Sequence, residues 1–448
     1  ASISNRARQL IRRPNGIRAV DLAMALFAEH GESAAATRSD ALMKVYREMN
    51  APARHSFHLF LAENFLPEAN RLMAAAQAYL QRPTAATAGE LSAASVPARQ
   101  DLLKRMNMAP GATGLLVAMR EALLKALPQA ASLKPLEQDL NHLLAAWFNR
   151  GFLELRKLDW NSPAALLEKL IAYEAVHEMR GWDDLRRRLA PDRRCFAFFH
   201  PALPGEPLIF VEVALCQGMA DNISPLLKAP ITSDDAREAD TAVFYSISNC
   251  QPGLRGIAFG NLLITQVVEE LRAEFPQLKC FVTLSPVPGF RRWLEKRLAS
   301  SDQDLLLDSE RSMFGAPALK NFTDALAGND WRKKDSGPAI LKAILQRLCA
   351  RYLIETNAGR GPADPVARFH LRNGARLERI NWCANTSPRG IAESYGFMAN
   401  YLYEPGQIDA NCEKFALHGA VAHSASIAAL ANESSKASDK RALIRAAE

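Results

Sequence analysis

The sequence predicts an α+β protein, with an all-helical bundle over residues 1–150 followed by a mixed α/β domain over 151–448. Three observations predict it. Helical periodicity recurs at 39–49, 55–64, 67–81, 98–107, 113–126 and 135–149. Composition shifts after Gly151, where β-prone runs begin. Two of those runs, 242–248 and 279–284, enclose an amphipathic helix over about 261–275. A strand–loop–helix–strand order of this kind places its two strands parallel.

The first part is rich in Ala and Leu, and proline or glycine breaks it at Pro52, Pro83, Pro110-Gly111 and Pro128. It shows no 34-residue period, which favours a bundle over a solenoid. His55 and His58 have no third ligand nearby and read as surface or core histidines. Residues 162–190 read as helix and lead into Arg186, Arg187, Arg188, Arg193 and Arg194. That cluster reads as a solvated basic face, with phosphate binding as the second reading. Strands are expected at 195–200 and 207–215 around a turn at 205–207, then a polar connection over 217–240. After the central unit, 301–365 reads as inserted helical pieces. Residues 368–382 read as strand-like with a turn at Asn373-Gly374, which puts His370 in an extended, apolar context. Residues 390–404 complete the domain, and a helix from Ile408 leads into a polar tail.

A chain of 448 residues exceeds one ordinary core. No apolar run reaches the ~20 residues that span a bilayer, so no membrane partner is expected. The net charge of +7 comes from basic residues interspersed with acids, without a zinc-finger or other nucleic-acid motif. Nucleic acid is therefore not an expected partner. The seven cysteines are scattered, none in a CxxC pair, which points to reduced thiols and a cytoplasmic protein. Cys250 and Cys280 flank the central unit and read as small core hydrophobes. The amino-terminal stretch carries arginines but no apolar signal core, and the chain ends Ala-Ala-Glu without a peroxisomal tripeptide.

The loop of the central unit, QPGLRGIAFG at 251–260, holds three glycines, one arginine and no carboxylate, directly before a helix. Glycines let backbone N–H groups approach a ligand, and a helix N-terminus offers unpaired donors and partial positive charge. Together they suit a phosphate; a plain connection is the other reading. No Lys-Ser/Thr pair follows, so this is not a P-loop. The order Arg255-Gly256-x-Ala258-x-Gly260 resembles the coenzyme A pyrophosphate loop of the GNAT acetyltransferases.

Further segments narrow the resemblance. FVTLSPVPGFRRWL (281–294), FHLRNGARLERINW (369–382), NTSPRGIAESYGFMANYLYEP (385–405), GEPLIFVEVAL (205–215) and FYSIS (244–248) resemble the malonyl-CoA decarboxylase family, in order, from about Gly151 to Pro405. The resemblance implies a GNAT-like mixed α/β catalytic domain behind a helical domain that mediates subunit contacts, a homotetramer, malonyl-CoA and acetyl-CoA as substrate and product, and neither cofactor nor metal.

Decarboxylation of a malonyl thioester needs a donor for the developing enolate oxygen and an acid for the α-carbon; the thioester itself accepts the electrons. Ser285 follows the second strand of the central unit, at the carboxyl end where open α/β sheets bind ligands. His370 is the one histidine between His200 and His418, a ring expected to titrate near neutrality. Each has a purely structural reading on sequence alone. The resemblance implies that they form the catalytic pair, with His370 the proton donor, that Ser246 and Tyr403 line the malonyl site, and that Arg255, Gly256, Ile257, Ala258, Phe259, Gly260 and Asn261 hold CoA. One departure is Ala258, where animal relatives carry glutamate. A GNAT-type acyltransferase and a non-catalytic CoA-binding scaffold are the competing readings.

Overall fold

The computed structural model describes residues 14–29, 31–228, 235–257, 262–300, 302, 304–328, 339–356 and 361–431. They form two compact units, the first drawn from residues 1–154, 199–208 and 249–259, the second from the rest.

The first unit is helical. Its helices run Pro14–Ala28, Glu32–Glu48, Ala51–Asn64, Ala69–Gln81, Ala85–Ser95, Ala98–Met106, Ala112–Ala126 and Lys134–Trp147. Sequence periodicity anticipates six of them. It misses Pro14–Ala28 and Ala85–Ser95, the latter an alanine- and serine-rich helix with a single buried residue, Ala94, and so no apolar stripe to read. The core packs Leu42, Tyr46, Phe57, Phe60, Leu103, Leu116, Leu123 and Leu140. Arg99 is buried among them and satisfied: its Nε donates to Asp139 at 2.7 Å and its Nη1 to the Ala62 carbonyl at 2.9 Å. His58 is also buried, bonded to the Tyr46 hydroxyl at 2.9 Å, so its position is structural.

The second unit is built on a mixed eight-stranded sheet: β1 (Glu154–Leu158), β2 (Arg193–Phe199), β3 (Ile209–Cys216), β4 (Thr241–Asn249), β5 (Cys280–Thr283), β6 (Ser285–Pro286), β7 (Arg376–Asn381) and β8 (Met398–Leu402), in the order β1-β2-β3-β4-β5-β8-β6 with β7 on β8. β2 and β3 are antiparallel. β4 and β5 are parallel, with Phe244 opposite Thr283, and the helix Leu262–Glu274 forms their crossover, as the sequence predicts. β8 runs antiparallel to β5, β6 and β7. Val243, Tyr245, Val282, Leu284 and Met398 pack a core on one face. Alternation along a strand then sends Phe244, Ser246 and Thr283 to the other face.

Three expectations change. His370 lies in the helix Pro365–Arg372, not in a strand. Asp364 caps that helix, accepting from the Val366 and Ala367 N–H groups at 2.9 Å each, and Pro365 occupies its first turn. The cap and Pro at the first helical position outweigh the local β propensity. The stretch 162–190 is two helices, Ala164–Tyr173 and Trp182–Arg188, separated by an irregular segment. Finally, the arginine cluster is a solvated face only at Arg186. Arg187 and Arg193 both pair with Asp192 at 2.6 Å, Arg188 pairs with Glu212 at 3.0 Å, and Arg194 pairs with Glu274 at 2.7 Å. The first three are buried, which commits their charge to the interior.

No helix among the described residues is long and apolar enough to cross a membrane.

Candidate active site

β5 ends at Thr283, and the chain continues through Leu284, whose N–H bonds the Phe244 carbonyl at 2.9 Å, into Ser285. Ser285 pairs with Ala399 of β8, and Pro286 follows it. The helix 365–372 buries Ala367, His370 and Leu371, a spacing that turns the His370 ring inward from the last turn. β8 and its extension supply Tyr401 and Tyr403, two residues apart and therefore on one face; the Tyr403 N–H holds the Phe281 carbonyl at 2.8 Å.

These elements bring Ser285, His370 and Tyr403 into one chain of hydrogen bonds. His370 Nε2 lies 2.9 Å from Ser285 Oγ, and His370 Nδ1 lies 2.9 Å from Tyr403 Oη. Ser285 Oγ donates to Thr283 Oγ1 at 2.9 Å, and the Tyr401 N–H donates to the same oxygen at 3.1 Å. A serine hydroxyl has one proton. With that proton on the Thr283 side, Ser285 accepts from His370, so Nε2 carries the ring proton and Nδ1 accepts from the Tyr403 hydroxyl. The Tyr401 ring stacks on the imidazole at 4.6 Å and 23°. Tyr403 meets it edge-on at 6.1 Å.

Ser285, His370 and Tyr403 are all buried. Burial alone lowers the His370 pKa from 6.5 to about 3, so the ring is neutral rather than poised near pH 7. This differs from the sequence expectation because both partners of the ring are neutral hydroxyls and no carboxylate bonds it. Burial also raises the Tyr403 phenol well above its ordinary value, keeping it a neutral donor. The arrangement is not that of an activated serine nucleophile, which needs an unprotonated base nitrogen to accept the serine proton.

Ser246 lies outside this chain. Its hydroxyl is 2.8 Å from both Glu174 oxygens and 3.2 Å from Ser248 Oγ. Glu174 also accepts from Ser248 Oγ and from the Val176 and His177 N–H groups. Phe244, on the same face of β4, approaches the Tyr403 ring at 6.4 Å.

Of the glycine-rich loop, Arg255, Gly256 and Ile257 are described; Ala258, Phe259, Gly260 and Asn261 lie outside the described residues. Gly256 sits at φ 84°, a left-handed conformation that glycine adopts without cost. The preceding turn, Pro252–Leu254, packs on the helix Ala112–Ala126. Arg120 donates to the Gly253 carbonyl at 2.7 Å, and a β-carbon on Gly253 would overlap the Val117 carbonyl. Among the described residues, no group of three or more His, Cys, Asp or Glu is placed to hold a metal ion.

Sequence reasoning missed Thr283, Tyr401, Glu174 and Asp364. Two had a readable signal. Thr283 lies two residues before Ser285 and Tyr401 two before Tyr403, the period that shares a strand face.

The family model of the malonyl-CoA decarboxylase C-terminal domain matches residues 151–441, and that of the N-terminal domain matches 65–148. The chain is similar to the crystal structure of malonyl-CoA decarboxylase from Rhodopseudomonas palustris, at 44% identity and TM-score 0.84, over 92% of this chain and 98% of that one. The one from Agrobacterium vitis matches at 44% identity and TM-score 0.82, over 92% and 99%. Mitochondrial malonyl-CoA decarboxylase of Anser anser anser is 37% identical over 390 residues, 82% of this chain and 77% of that protein. The chain belongs to the malonyl-CoA decarboxylase family.

Proposed function

We propose that this chain converts malonyl-CoA to acetyl-CoA and CO2, with Ser285, His370 and Tyr403 as its working groups. The hydrogen-bonded chain Ser285–His370–Tyr403 carries this reading. The bond from the α-carbon to the carboxylate breaks, CO2 leaves, and the electron pair passes into the thioester as an enolate. Ser285 orients the leaving carboxylate or the thioester oxygen. The α-carbon then takes a proton from His370, so each turnover consumes one proton. In the free site His370 is neutral; a substrate carboxylate placed beside the ring raises its pKa, and the ring acquires its proton with the substrate. Tyr403, bonded to Nδ1, fixes the ring orientation. Ser246 lines the acyl end, where its hydroxyl is shared with Glu174. Residues 255–261 hold the CoA pyrophosphate.

Incubation with malonyl-CoA and no acyl acceptor tests the activity. The expected result is acetyl-CoA and CO2 in equal amounts. Acyl transfer to an added amine without CO2 would point to an acyltransferase, and CoA binding without turnover would point to a scaffold.

Residues 1–150 are proposed as the self-association part of a homotetramer. The helix Ala69–Gln81 buries none of its side chains, and Leu66, Met73 and Leu80 are exposed beside or on it. Apolar exposure of this kind marks an interaction surface. A monomer in sedimentation at micromolar concentration would end this proposal. The scattered cysteines, none of them in a disulfide, support a cytoplasmic setting.

A further inference from the structure

We propose that Asp364 is a positioning residue that sets the distance between Ser285 and His370. It rests on the reading of those two residues as the working pair. Asp364 is fully buried. One carboxylate oxygen accepts from the Val366 and Ala367 N–H groups and so fixes the start of the helix that carries His370. The other accepts from the Tyr352 hydroxyl at 3.1 Å. The turn at Gly289, four residues beyond Ser285, packs against this same Tyr352–Asp364 pair. A single side chain therefore fastens both elements whose closest approach is the 2.9 Å bond from Ser285 to His370.

Gly289 shows how tightly this is built. A β-carbon there would overlap the Tyr352 hydroxyl and lie 3.8 Å from Asp364 Oδ2, so glycine is what lets the turn after Ser285 reach the carboxylate. Phe290, the next residue, packs against Tyr352 at 5.9 Å between ring centres. Burial holds the Asp364 carboxyl above its usual pKa, opposed by its hydrogen bonds from Ala367, Tyr352 and Val366. A helix cap needs only one oxygen. The second oxygen, bonded to Tyr352 and packed against the Gly289 turn, is the feature that a capping role leaves unused.

Asp364→Asn separates the two roles. The amide oxygen still caps the helix, but the amide nitrogen now donates toward Tyr352 and reverses the bond against which the Gly289 turn packs. The expected result is a kcat at least ten-fold lower, with KM for malonyl-CoA and Kd for acetyl-CoA each within about three-fold. In a Ser285→Ala background, Asp364→Asn should change the residual rate less than two-fold, because a residue acting through the pair has nothing left to position. If Asp364→Asn does not fold, Asp364→Ser, an equally good cap that cannot span to Tyr352, takes its place. Wild-type kcat in the folded variant overturns the inference, and so does a loss that multiplies fully with Ser285→Ala. A Ser285→Ala protein with normal activity overturns instead the reading of the pair on which it rests.

Discussion

Ser285 gives its proton to Thr283, and that fixes the tautomer of His370. The ring presents its Nε2 proton to Ser285 and its Nδ1 lone pair to Tyr403, so the Ser285–His370–Tyr403 chain holds no charge before substrate arrives. The free-enzyme pKa of His370 is about 3. Because kcat/KM reports free-enzyme ionisations, it should show no His370 inflection between pH 5.5 and 7.5. The profile of kcat should fall above the raised pKa of the bound complex. Tyr401 supplies a separate test. Its ring stacks on His370, while its hydroxyl is buried with no hydrogen-bond partner among the described residues. Tyr401→Phe keeps the stack and removes a polar group whose burial costs about 1–3 kcal/mol. Stability should be unchanged or higher and kcat within about three-fold; a ten-fold drop in kcat would mean that the hydroxyl meets substrate. At this scale much was legible in the sequence. Ser285, His370 and Tyr403 were marked by motif, and the structure brings them into one chain of bonds. The depressed ionisation of His370 was not legible, because it comes from burial and from the neutrality of its neighbours, neither of which a one-dimensional pattern carries.

The parallel β4–β5 pair and its crossover helix were readable from period and punctuation. The helix 365–372 was not read, although its signal, Asp364-Pro365 followed by inward residues three and four apart, is a recognisable helix start. Asn373-Gly374 has the signature of a hairpin turn and masks that signal. Gly374 instead ends the helix at φ 83° and lets the chain turn into β7. The glycine-rich loop gives the prediction at this scale. Gly256 is left-handed, and a β-carbon there meets nothing within 4 Å, so a substitution carries backbone strain but no clash. Asn and Asp both tolerate this conformation. Gly256→Asp adds a charge that Gly256→Asn lacks. If the loop holds the CoA pyrophosphate, calorimetry should show the Asp variant binding CoA at least about ten-fold more weakly, a cost of roughly 1.4 kcal/mol, and the Asn variant within about three-fold. Equal affinities in both would make the loop a plain connection.

The chain divides its work between a helical unit with its own apolar core and a sheet unit that carries Ser285, His370 and Tyr403. The division into helix-rich and mixed parts followed from helical periodicity and the composition shift after Gly151. That the segments 199–208 and 249–259 belong with the helices did not. Contacts such as the one from Arg120 to Gly253 join residues 133 positions apart, beyond the reach of any local periodicity. For the whole molecule the central claim is that a neutral, buried histidine is charged by its substrate and then protonates the α-carbon. The most direct measurement is steady-state decarboxylation by His370→Asn, alongside its acetyl-CoA affinity. Positioned acid–base groups contribute ~10²–10⁴-fold. A kcat at least about a hundred-fold below wild type is expected, with acetyl-CoA affinity within a few-fold and loss of the alkaline limb in kcat. A folded His370→Asn protein with near-normal kcat and the same alkaline limb would contradict the claim.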